Sequence, residues 1–182
     1  LLQIGSCAPG RVLLNRTICD AQAPDTSFSA VVIDANRSAF DLYNVRSQEG
    51  CDKYGVRFKR FDVRRKAFYD WLSHELSNND YTRIVVTTGD DELNLFVADF
   101  IVRSYRERGN RLKDLPEILF VRVRHPENYA GFLSCQAGQF KEFNADLFFT
   151  PFGSNQEVYS CQSIVDFDID VIAKKINAYY CR

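Results

Sequence analysis

Along most of the chain, short apolar runs alternate with longer stretches in which apolar residues recur every three or four positions. The runs are "LLQIG" (1–5), "SAVVIDA" (29–35), "VRFKRFDV" (56–63), "TRIVVTT" (82–88), "EILFVRV" (117–123) and "ADLFFTPF" (145–152). They are rich in β-branched and aromatic residues, and each predicts a strand. Four of the six are almost unbroken in their apolar character, as strands covered on both faces of a parallel sheet should be.

The stretches between them predict helices. Arg11–Asp20 brings Val12, Leu14 and Ile18 towards one side, and Arg65–Leu76 spaces Phe68, Trp71, Leu72 and Leu76 for packing one face on a sheet. Asp91–Arg108 is apolar on most sides through Leu93, Leu95, Phe96, Val97, Phe100, Ile101 and Val102, so it is expected to be the most buried. Loops at "AQAPDTSF" and "RGNRLKDLP" carry the Pro, Gly and Asp that interrupt regular structure. A last helix, Asp168–Cys181, aligns Ile169, Ile172, Ile176 and Tyr179 after an irregular linker.

Strands alternating with helices predict an α/β fold, a doubly wound and mainly parallel six-stranded Rossmann-like sheet in the order 3-2-1-4-5-6 with helices on both faces. In such a sheet ligands bind outside the carboxyl ends of the strands, at the switch between strands 1 and 4. The expected division is a nucleotide-binding domain over 1–152 and a linker with a C-terminal helix over 153–182.

Composition narrows the partners. The 182 residues are 46% hydrophobic and 14% aromatic, enough for one substantial core. With 23 basic and 24 acidic residues the net charge is -1, so no overall field attracts nucleic acid or an anionic membrane surface. No apolar run nears the ~20 residues of a spanning helix, and no signal-peptide pattern opens the chain, so a soluble cytoplasmic domain is expected. Six cysteines (Cys7, Cys19, Cys51, Cys135, Cys161 and Cys181) form no CxxC pair or zinc spacing and read as reduced, mostly buried side chains. The chain has no methionine, so Leu1 is not an initiator and a longer protein is expected.

The strand ends carry the candidate chemistry. Gly5, Cys7 and Gly10 hold the register of a G-x-G-x-x-G turn with cysteine at the middle position. In such a turn the first glycine permits the sharp bend, the second lets backbone approach a pyrophosphate, and the third lets helix and strand pack closely. An ordinary glycine turn is the alternative. Pro9 tolerates the first helical turn, and Arg11 is placed to reach an anion at the helix N-terminus. Asp34 ends strand 2, where a carboxylate accepts ribose hydroxyls and repels the extra phosphate of NADP; equally, it caps the next helix. Asp62 ends strand 3, and Asp90 and Asp91 open a helix whose dipole alone accounts for them.

The run "VVTTGDDELNLFVADFIV", then "ILFVRVRHPENYAGFLSCQAGQF" and "ADLFFTPF", resembles the TrkA-N or RCK (regulator of potassium conductance) nucleotide-binding domain. That family reads as a small polar loop, "GDDxxNL", an arginine-containing "RVR" with "xPE" after it, and a last strand ending near proline. The resemblance spans roughly residues 1–152 and is strongest over Ile84–Pro151; it departs at Cys7, where the family usually keeps glycine. It implies that Gly5, Cys7, Gly10 and Arg11 form the phosphate turn, Asp34 accepts the ribose, and Asp62 with Val63 edges the adenine. Thr87, Thr88, Gly89, Asp90 and Asn94 would flank the far side, with Arg122 beside the phosphates. The implied ligand is NAD(H) or an adenine nucleotide such as ATP, ADP or AMP. The implied setting is a potassium channel, transporter or other module on a longer chain, with the last helix joining a homodimer.

Catalysis is not indicated. The only histidines, His74 and His125, lie on different elements, and there is neither a G-x-S-x-G turn nor a P-loop. His125 does follow a strand end, where dehydrogenases place a proton donor. An NAD-dependent oxidoreductase domain lacking its substrate domain is therefore one alternative to a regulatory module. A ligand-free interaction domain is the other.

Overall fold

The computed structural model describes residues 1–20, 28–36, 54–109, 112–129 and 148–155. Six strands, β1 (Leu2–Ile4), β2 (Ala30–Asp34), β3 (Val56–Arg60), β4 (Ile84–Val86), β5 (Leu119–Arg122) and β6 (Thr150–Phe152), form one sheet. Its order is β3-β2-β1-β4-β5-β6 and every neighbouring pair is parallel, the doubly wound Rossmann-like arrangement the run pattern predicts. Ile4 sits between Ile33 and Val86, so β1 is central and its end faces both β2 and β4.

Side chains of the inner strands alternate between two apolar layers, as the pleat requires. Leu2, Ile4, Val31, Ile33, Ile84 and Val86 join the larger core beneath α2 (Lys66–Asn78) and α3 (Asp91–Glu107). Ala30 and Val32 face the other way, towards Leu14 of α1 (Ala8–Asp20). α3 buries eight residues against four for α2 and two for α1, so the helix expected to be deepest is the deepest of the three. Its Phe96 is nonetheless 60% exposed and meets Tyr69 edge-on. On α2, Phe68, Leu72 and Leu76 are buried, and Trp71 stacks on Phe61 with centroids 5.0 Å apart.

Four expectations are corrected. α1 starts at Ala8 rather than Arg11, because Cys7 O already accepts the Arg11 N–H at 3.0 Å and Pro9 lacks only an N–H that the first turn leaves unpaired. Val12 does not share a side with Leu14: two residues are about 200° apart on a helix, and Val12 is 69% exposed while Leu14 is buried. β3 leaves the sheet at Arg60 rather than Val63, since Asp62 turns the chain by accepting the Arg64 N–H on Oδ1 and the Arg65 N–H on its carbonyl. Of the cysteines, Cys7 and Cys19 are free thiols, and Cys19 is exposed rather than a core residue. The other four cysteines and the helix expected over Asp168–Cys181 lie outside the described residues. Among the described residues no helix is long and apolar enough to cross a membrane.

Behind the sheet edge, Glu75 on α2 is buried yet fully engaged. Its Oε1 accepts from Tyr81 Oη at 2.7 Å and Asn79 Nδ2 at 3.1 Å, and its Oε2 from Lys59 Nζ at 3.3 Å. Burial pushes the Glu75 carboxyl up. The hydrogen bonds from Tyr81 and Lys59, with the charges of Lys59 and Arg57, outweigh it and hold the group below its ordinary 4.5. A carboxyl lowered in the folded state adds stability that is fully present above pH 4.5 and is lost as pH falls through the folded value. Glu75→Gln is therefore expected to lose about 1–3 kcal/mol near neutral pH and to flatten the acid limb of stability. Denaturant titrations near neutrality and at about pH 3 measure both, and an unchanged acid limb would contradict the assignment.

Candidate functional site

The site is built where β1 ends and the chain turns into α1. Gly5 adopts φ 96°, and a Cβ there would lie 2.6 Å from Thr88 N and closer still to the Thr87 carbonyl. Glycine is therefore required at this first position of the turn. Gly10 lies on Thr87 and Gln3: a Cβ would stand 2.8 Å from Thr87 Cγ2 and 3.0 Å from both Gln3 Nε2 and Gly5 O. The first and third glycines thus carry the bend and the close helix–strand packing that the motif assigns them. Cys7, at the middle position, turns its sulfur towards β4, 3.0 Å from both Thr87 O and Thr87 Oγ1. Arg122 Nη1 reaches the same sulfur at 4.0 Å. Arg11 bends back so that its Nη1 donates to Ser6 O at 2.9 Å.

Asp34 closes β2 and is tied to the same turn. Its Oδ2 accepts from Ser6 N at 2.7 Å and Ser6 Oγ at 2.6 Å, and its Oδ1 from Asn36 N at 2.8 Å. Ser6 is a partner that no local pattern marks, since it lies 28 residues from Asp34. Beside this carboxylate opens a cleft of about 100 Å³. Its walls include Gly5, Ile33, Asp34, Phe61, Asp62, Val63, Thr88 and Leu93, so five residues named from the sequence (Gly5, Asp34, Asp62, Val63 and Thr88) meet around one space. Ile33, Ala35, Phe61, Arg64 and Leu93 are lining residues that the sequence did not assign to a site; the first four lie at or near strand ends, and Leu93 is in the first turn of α3. Arg64 also reaches across, its Nη2 3.8 Å from Asp90 Oδ2.

Other sequence-named residues brace the crevice. Asp90 caps α3, accepting the Leu93 N–H on Oδ1 at 3.1 Å. Thr87 and Asn94 are fully buried. Asn94 Oδ1 accepts from Thr88 N at 2.8 Å and Thr88 Oγ1 at 2.7 Å, while its Nδ2 donates to Arg122 O at 2.9 Å. Gly89 adopts φ 96° and accepts Arg124 Nη2 on its carbonyl at 2.7 Å. Asp91, seen from the sequence only as a dipole partner, is buried and accepts the backbone N–H groups of Arg124 at 2.8 Å and His125 at 3.0 Å. His125 sets Nδ1 3.2 Å from Glu127 Oε1 and Nε2 3.3 Å from Asn155 Nδ2, and it does not line the cleft.

Comparison with family models, curated proteins and solved structures finds no significant match. The chemistry must be read from the residues themselves. Phe61, Val63 and Leu93 put apolar surface at the cleft while Ile33 is fully buried beneath it, and a carboxylate such as Asp34 or Asp62 is able to accept hydrogen bonds from hydroxyl or amino groups. Among the described residues no three His, Cys, Asp or Glu side chains are grouped to hold a metal ion.

Proposed function

We propose that this chain is a regulatory domain that binds an adenine nucleotide, AMP, ADP, ATP or NAD(H), in the manner of the TrkA-N or RCK modules it resembles. One observation carries the reading: one cleft at the carboxyl ends of the strands of a doubly wound sheet is walled by Gly5, Asp34, Asp62, Val63 and Thr88, with Phe61 and Leu93 among the other lining residues. On this reading the domain is not an enzyme. It works by binding ligand more tightly in one conformation of a larger protein than in another. A potassium channel or transporter, with the domain as a homodimer, is the setting the resemblance favours.

Thermal unfolding tests the reading. Nucleotide at about 100 times its Kd is expected to stabilise the fold by about 2.7 kcal/mol, a rise of about 5–10 °C in midpoint for a domain of this size. A midpoint unmoved by all of these nucleotides would refute it. A second reading, an interaction domain without ligand, is favoured by Asp34, whose Oδ2 already accepts two hydrogen bonds and whose Oδ1 accepts one from the chain itself. The same unmoved midpoint is what that reading expects.

A further inference from the structure

We infer that the cleft takes a nucleotide with a single nucleoside, AMP being the probe, and that Cys7 excludes the dinucleotide NAD(H). This rests on the nucleotide-binding reading of the same cleft. In a doubly wound sheet a dinucleotide spans the crevice, and its pyrophosphate crosses at the first βα turn, where the middle glycine lets backbone come close. Here the crossing point is occupied. The Cys7 sulfur lies 3.0 Å from both Thr87 O and Thr87 Oγ1, with Arg122 Nη1 4.0 Å away. The Cys7 side chain also faces the loop after β4: a methyl group placed on Gly89 would stand 3.9 Å from Cys7 Cβ. A pyrophosphate crossing here would have to displace the Cys7 sulfur from Thr87.

The lining of the cleft agrees with this division. It draws on the ends of β2 and β3 and, from the far side, on Thr88 and Leu93; Cys7, Gly89 and Arg122 contribute nothing to it. The adenosine half of the crevice is therefore open, and on this inference the way to a second nucleoside is obstructed by a side chain rather than by backbone. A side-chain barrier can be removed without rebuilding the turn. Glycine is also accepted at a helix N-cap, the place Cys7 holds at the start of α1.

Calorimetric titration of the full chain with AMP, NAD+ and NADH tests this on the native protein, Cys7→Gly and Cys7→Ala. Native protein is expected to bind AMP at least about tenfold more tightly than NAD+ or NADH, a difference of about 1.4 kcal/mol. Cys7→Ala should narrow that gap and Cys7→Gly should narrow it further, by about tenfold. If Cys7→Gly fails to fold, Cys7→Ala alone decides. Native protein that binds NAD(H) as tightly as AMP, or a gap that neither substitution alters, overturns the inference while leaving the nucleotide reading in place. Absence of binding by all three ligands overturns both.

Discussion

Gly5→Ala is expected to be the most damaging small substitution in the crevice, costing about 4 kcal/mol or more. Two penalties coincide there. At φ 96° an alanine meets the left-handed strain of about 1–2 kcal/mol that glycine escapes. Its Cβ would also be driven into backbone, 2.6 Å from Thr88 N and nearer to the Thr87 carbonyl, and that backbone has nowhere to go. The Thr87 N–H is held by Ile4 O at 2.7 Å, at the centre of the sheet. Gly89→Ala carries the same sign of φ, but the nearest heavy atom to its Cβ is 3.9 Å away, so only the strain of about 1–2 kcal/mol applies. Gly10→Ala meets Thr87 Cγ2, Gln3 Nε2 and Gly5 O at 2.8–3.0 Å, overpacking offset in part by the better helix propensity of alanine, for a net loss of about 1–2 kcal/mol. Denaturant midpoints of the three variants give the order. A Gly5→Ala protein as stable as Gly89→Ala would mean that the turn does not press on β4 as described.

That ordering separates what the sequence discloses from what only packing decides. The strand order is legible because buried parallel strands write themselves as apolar runs, and once the runs are placed, Asp34 and Asp62 fall at or just beyond carboxyl ends by arithmetic. The two outer glycines of the turn are legible by their register. The direction of the Cys7 sulfur is not, because it depends on Thr87, 80 residues away in the chain. Ser6, the partner of Asp34, is hidden for the same reason. Val12 falls off the buried side for a reason the spacing already holds, since two residues turn a helix by about 200° and Leu14 with Gly10 takes the sheet side. Thr87, at the end of β4, and Asn94, on the inner side of α3, are fully buried and have hydrogen-bond partners within the chain, and that burial is a property of the assembled layers.

Asn94→Ala is expected to lose about 2–4 kcal/mol and to loosen the crevice at one specific amide. Asn94 is 0% exposed and joins three segments: its Oδ1 takes both donors of Thr88, and its Nδ2 satisfies Arg122 O. Removing the amide leaves the Thr88 N–H and the Arg122 carbonyl without a partner behind the sheet, and each unmade bond costs about 1–3 kcal/mol where water does not enter. Hydrogen exchange then distinguishes this from general destabilisation: the Thr88 amide should exchange faster in Asn94→Ala by more than the drop in global stability explains. Asn94→Asp sharpens the argument. It keeps the acceptor for Thr88 but turns a carboxylate oxygen towards the Arg122 carbonyl, so burial and repulsion raise the folded-state pKa of the new side chain above its unfolded value. Its penalty is therefore largest above that raised value and shrinks as pH falls and the protonated group regains a donor, opposite in sign to the acid behaviour of Glu75. On the nucleotide-binding reading proposed for the cleft, both variants should also weaken AMP binding, because Thr88 lines it. A Thr88 amide as protected in Asn94→Ala as in the native chain would show that the β4 loop is held by something other than this side chain.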